Sequence, residues 1–134
     1  MKISKIELKK FRSIERCVIE LNDLNAIVGQ NNSGKSAIIR SLNCFFIFND
    51  EEINFIQGKH HYNSSSTPVI TLTFTDFDSE FDEYSDSSIL QIQQSYKLSN
   101  KKVSYQYKKN GKYAAAPDKL LELIEEKLSF VYIP

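Results

Sequence analysis

Cysteine is scarce in this chain. Only Cys17 and Cys44 occur, far apart and among apolar neighbours. Two such thiols exclude a disulfide-stapled scaffold and fit a reduced, intracellular protein. Net charge is missing as well, with 17 Lys and Arg against 17 Asp and Glu, so no global field draws the chain to nucleic acid or membrane. Long hydrophobic runs are absent. The longest, Cys44 to Phe48, is far too short to span a bilayer. The N-terminus reads as an amphipathic strand studded with lysine rather than a secretory leader. No internal repeat is evident, and the one biased tract is the serine cluster Ser64-Ser65-Ser66. What remains is the expectation of one cytoplasmic domain of 134 residues, 41% hydrophobic and 12% aromatic, able to bury a core.

The charges are unevenly placed. Residues 87–117 carry no acid but hold Lys97, Lys101, Lys102, Lys108, Lys109 and Lys112. Residues 49–86 are the reverse, acidic with Lys59 as the single lysine.

Periodicity predicts the elements. Ile3 to Phe11 and Cys17 to Leu21 alternate as two strands around a hairpin turn at Arg12-Ser13-Ile14-Glu15-Arg16. Asn25 to Val28 is a third, short strand. A helix follows from about Lys35 to Phe48, with Ile38, Ile39, Leu42 and Phe45 at helical spacing. Residues 49–68 lack periodicity and read as a mobile, irregular connection. Ile70, Leu72 and Phe74 then alternate with threonines in a half-buried strand. After an acidic break at 76–88, residues 90–98 and 103–107 continue an antiparallel meander over 69–116, closed by the hairpin signal Asn110-Gly111. Pro117 suits the first turn of a helix carrying Leu120, Leu121, Leu123, Ile124 and Leu128, and Phe130 to Ile133 is a last strand. The order implies an α/β domain with a mixed core sheet and an antiparallel side sheet.

Between the third strand and the first helix stands Gly29-Gln30-Asn31-Asn32-Ser33-Gly34-Lys35-Ser36. This is the Gly-x-x-x-x-Gly-Lys-Ser spacing of a phosphate-binding loop, and each fixed position has a mechanical task. Gly29 lets the chain leave the strand in a sharp turn, and Gly34 lets backbone approach phosphate with no Cβ between. The amides from Asn31, Asn32 and Ser33 through Ser36 and Ala37 point at the anion from a helix N-terminus. Lys35 is placed to reach the β- and γ-phosphates as the catalytic cation. The Ser36 hydroxyl is placed to ligate Mg²⁺. The expected cofactors are therefore ATP and Mg²⁺, although the loop does not distinguish ATP from GTP.

The strand end Lys-Lys-Phe-Arg-Ser-Ile followed by Gly-Gln-Asn-Asn-Ser-Gly-Lys-Ser resembles the ABC-type ATPase heads of the SMC and RecF group. The double Asn and the ending Phe-Val-Tyr-Ile-Pro look most like the OLD family (overcoming lysogenization defect), in which an N-terminal ATPase precedes a Toprim nuclease. The resemblance implies a P-loop NTPase fold, namely the first lobe of an ABC/SMC-like head. It also implies ATP-driven homodimerisation and a role on DNA, in anti-phage defence or DNA metabolism. Arg12 is implied to lie near the phosphates; read from its residues alone, it is equally a solvated hairpin arginine. A RecF- or SMC-like clamp without nuclease and a non-hydrolysing nucleotide sensor are the alternatives. The acid-tipped apolar strand and glycine-rich signature loop that such ATPases need are not found. Thr71 to Asp76 has a threonine face, Leu120 to Glu126 is helical in period, and Leu98 to Lys101 lacks glycine. The chain is therefore expected to be an inactive N-terminal part of a longer protein.

Three other clusters invite function. His60-His61 has no cysteine nearby in sequence and no helical partner, so a surface loop pair is expected. Asp76 to Asp82 has Phe81 where a calcium loop needs glycine. The lysines of the meander interleave with Tyr96, Tyr105, Tyr107 and Tyr113, which suits DNA, a partner protein, or a sheet edge guarded by lysine.

Overall fold

Alternation along the N-terminal segment builds a hairpin. Strand β1 (Lys2–Phe11) buries Ile6, Leu8 and Phe11, and β2 (Ile14–Glu20) pairs with it antiparallel, Leu8 opposite Cys17 and Phe11 opposite Ile14. The turn is only Arg12-Ser13, tighter than the five residues the sequence suggested. The structure, a computed structural model, describes residues 1–21 and 32–128, with side chains from Ile38 onward in the first helix. The strands expected at 25–28 and 130–133 lie outside the described residues.

The meander consists of β3 (Val69–Thr75), β4 (Leu90–Lys97), β5 (Lys102–Lys109) and β6 (Lys112–Ala115). The Asn110-Gly111 turn forms as expected, with φ of 54° and 76°, the left-handed pair that a two-residue hairpin requires. The hairpin and the meander do not form separate sheets. β1 lies between β2 and β3, giving one sheet in the order β2-β1-β3-β4-β5-β6 with every pairing antiparallel. Ile6, Leu72 and Ile92 stand side by side across its centre. Ile70, Phe74, Leu90 and Tyr96 extend the same buried face. The threonine row of β3 is only partly wet, for Thr71 is buried as well.

Helix α1 (Asn32–Phe46) packs Ile38, Leu42 and Phe45 into this core. Residue Ile47 ends it, and α2 (Phe48–Ile56) begins at once, so residues 49–56 of the expected irregular connection are helical. Inward-facing Glu51 and Phe55 lie four residues apart on α2. Because the first is charged, a hydrophobic period does not register the helix. Gly58, at φ 76°, stops α2 in a left-handed cap. Helix α3 (Asp118–Leu128) follows Pro117 and buries Leu120 and Ile124.

The acidic break is ordered too. Asp78 accepts from the Glu80 amide at the start of a 3-10 turn (Ser79–Phe81), and Phe81 is fully buried. Among the described residues no helix is long and apolar enough to cross a membrane.

Candidate nucleotide site

A helix exposes unpaired amides in its first turn, and these favour an anion. Helix α1 begins at Asn32, so Ser33, Gly34, Lys35, Ser36 and Ala37 of the loop motif occupy its first turns. Gly29 and Asn31 lie outside the described residues, as do the side chains of Asn32 through Ala37. The backbone thus places the Gly-Lys-Ser segment at the helix terminus where the motif needs it.

The far end of α1 is held by the sheet. Gln94 sits in the buried row of β4, where a polar residue is costly unless bonded. Its amide donates to the Cys44 carbonyl at 2.6 Å and to the Tyr105 hydroxyl at 2.8 Å, and that hydroxyl donates to the Phe45 carbonyl at 2.9 Å. Two side chains therefore cap carbonyls of the last helical turn, which have no helical partner. The signal for this clamp was in the sequence, as a glutamine at an inward position.

Beside α1 lies a buried polar network. Glu51 of α2 accepts from Arg40 of α1, from Asn54 at 2.9 Å and from the His60 Nε2 at 2.9 Å. Burial pushes the Glu51 carboxyl up, but the hydrogen bonds from His60, Asn54 and Arg40 outweigh it and hold the group below its usual range. Burial lowers His60, against the pull of Glu51, and its Nε2 faces the carboxylate. His60 and His61 are not a surface pair: they are 1% and 6% exposed. Phe11 stacks on the His60 ring at 5.2 Å, and Phe55 meets both rings edge-on. A cysteine is also close in space. Ligand atoms of Cys44, Glu51 and His60 lie within 4.8 Å of one another. The set does not call for a cation, however. Arg40 already balances Glu51, and burial pushes the Cys44 thiol well above its ordinary value, so it keeps its proton.

Arg12 joins this network through its backbone. It is half-buried in the β1–β2 turn with φ 54°, and its amide donates to the His60 carbonyl at 3.0 Å. Burial dominates at both the Cys44 thiol and the His60 ring, raising the first and lowering the second; the Arg12 charge weakly opposes the first shift and adds to the second. The Arg12 backbone is thus tied to the loop after α2.

The lysine-rich hairpin is less available than its sequence suggested. Tyr96 is buried, Tyr105 caps α1, and Tyr107 packs edge-on against Tyr84 at 5.1 Å. Of the four interleaved tyrosines, only Tyr113 is exposed. Lys109 donates to the carbonyls of Asp82 and Glu83, so the basic hairpin holds the acidic segment. A groove of about 410 Å³ lined by Phe45, Phe48, Tyr105, Leu121 and Ile124 sits at the carboxyl end of α1. At 1.5 Å per residue this is about 15–20 Å from the Gly-Lys-Ser turn, so it is a separate feature.

A Gly-Lys-Ser helix start beside a six-stranded antiparallel sheet defines the class: this is a P-loop ATPase fold. The AAA ATPase domain model (AAA_15) matches residues 1–133, and the chain belongs to that family. No curated protein matches it. Solved structures share the fold, and three of them illustrate it. One comes from work on ATP-driven dimerisation and DNA-stimulated activation of SMC ATPases, with TM-score 0.65 and 24% identity over 91% of this chain and 76% of that one. A second is an Smc head bound to the C-terminal winged-helix domain of ScpA, with TM-score 0.59 and 21% identity over 91% of this chain and 39% of that one. A third is an Smc head with coiled coil and joint derived from Pyrococcus yayanosii, with TM-score 0.60 and 19% identity over 92% of this chain and 25% of that one. The chain therefore spans well under half of the second and third.

Proposed function

We propose that this chain is the nucleotide-binding lobe of an SMC/ABC-like ATPase head. The observation that carries the reading is the Gly29-to-Ser36 motif running into the first turn of α1. In this reading the amides of Asn32 to Ser36 receive the phosphates and Lys35 offsets their charge. The Ser36 hydroxyl, a hard oxygen donor, suits Mg²⁺. Arg12 approaches from the β1–β2 turn. Catalysis in such a site is positioning and electrostatics, and the water-activating acid comes from outside this lobe. Two heads sandwiching ATP would couple binding to dimerisation; ATP-driven dimerisation is described for SMC ATPases.

Within this reading, the double Asn and the Phe-Val-Tyr-Ile-Pro ending favour an OLD-like ATPase linked to a nuclease, acting on DNA. The shared fold with SMC heads favours an ATP-gated clamp instead. A downstream Toprim pattern separates the two.

The test is Lys35→Ala, titrated with Mg-ATP by calorimetry. Loss of a charged hydrogen-bond partner worth about 1.5–3 kcal/mol weakens binding about 10- to 100-fold. Unchanged affinity would overturn the assignment.

A further inference from the structure

The loop motif and Arg12 come from different parts of the fold, and something must hold them in register. Arg40 stands four residues beyond Ser36, on the same face of α1. It binds Glu51, Glu51 binds His60, and the His60 carbonyl receives the Arg12 amide. The loop carrying His60 is further tied to β1, since Phe11 bridges His61 and the Tyr62 amide donates to the Lys10 carbonyl at 3.1 Å. Arg12 itself needs such support. A left-handed conformation is unfavourable for a non-glycine residue, and it persists only where its surroundings fix it.

We propose that the buried Glu51–His60 pair is a positioning device that sets Arg12 against the phosphate-binding end of α1, making Glu51 and His60 positioning residues for nucleotide binding. This rests on the nucleotide reading above. Glu51 touches α1 through Arg40, and its other carboxylate oxygen fixes the ring of His60. The backbone of His60 then fixes the Arg12 turn. Neither residue need touch nucleotide. The orphaned Nδ1 of His60 has no partner among the described residues, so the ring's one polar bond is the one to Glu51.

The test is a double-mutant cycle on Mg-ATP affinity, using His60→Phe and Arg12→Ala, with Lys35→Ala as reference. His60→Phe keeps an aromatic ring against Phe11 but removes the bond to Glu51. It is expected to weaken ATP about fivefold, as suits residues sharing one hydrogen-bond network. In the Arg12→Ala background it is expected to have no further effect. His60→Gln, whose amide can still donate to Glu51, is expected to recover most of the affinity. Should His60→Phe fail to fold, Asn54→Ala removes one donor from the same carboxylate and serves in the same cycle. Additive losses, or an Arg12→Ala that binds like wild type, overturn the positioning role while a weakened Lys35→Ala leaves the nucleotide reading intact. A Lys35→Ala that binds normally overturns both.

Discussion

The clamp on the carboxyl end of α1 gives the sharpest energetic expectation. Gln94→Leu keeps an apolar volume in the buried row of β4 but removes the amide that meets the Cys44 carbonyl and the Tyr105 hydroxyl. Each lost bond is worth about 1 kcal/mol, and a buried acceptor left bare costs about 1–3 kcal/mol. The expected loss is therefore about 3–5 kcal/mol, against a total stability of about 5–15 kcal/mol for a domain. Tyr105→Phe loses the bond to the Phe45 carbonyl and should cost about 1–2 kcal/mol. The double variant should lose less than the sum by about 1 kcal/mol, since the Gln94–Tyr105 bond, which each single variant removes, is lost only once. Urea unfolding followed by far-UV circular dichroism measures all three, and an unchanged m-value keeps the comparison on stability alone. A Gln94→Leu loss under about 0.5 kcal/mol, or strict additivity, would refute the clamp.

Two further outcomes follow from buried titratable groups. Burial holds His60 and His61 below the ordinary 6.5, so the unfolded chain binds protons first as pH falls. The stability they contribute is complete above about pH 6.5 and is lost on the way to the lower folded values. Glu51, held below 4.5, adds a second loss in still stronger acid. The urea midpoint should be level from pH 8 to 7 and fall from pH 6.5 to 5, and a level midpoint down to pH 5 would contradict this. Thiol labelling of the native chain should modify half-buried Cys17 and spare Cys44, whose thiol is buried and pushed up; equal rates would count against the packing of α1.

Much of the fold was legible because its signals are local. Alternation marked β1 and β3, Asn110-Gly111 marked the last hairpin, and Pro117 with a leucine stripe marked α3. The site was legible at one point, where Gly34, Lys35 and Ser36 start a helix. The rest depended on partners distant in sequence. Nothing local shows that β1 pairs with β3, since register joins Leu8 to Ile70 across the whole loop and helix region. α2 was hidden because its inward position is Glu51, a charge that only Arg40, Asn54 and His60 make tolerable. The same network explains why His60 read as a surface residue: its partners Glu51 and Phe11 come together only in the fold.

The most direct measurement of the central claim is a crystal structure of the chain soaked with Mg²⁺ and a non-hydrolysable ATP analogue. The account predicts phosphates seated on the first turn of α1, Lys35 against the β- and γ-phosphates and the Ser36 hydroxyl on the metal. Nucleotide bound elsewhere with that turn bare, or a first turn closed to any polyphosphate at saturating ligand, would contradict it.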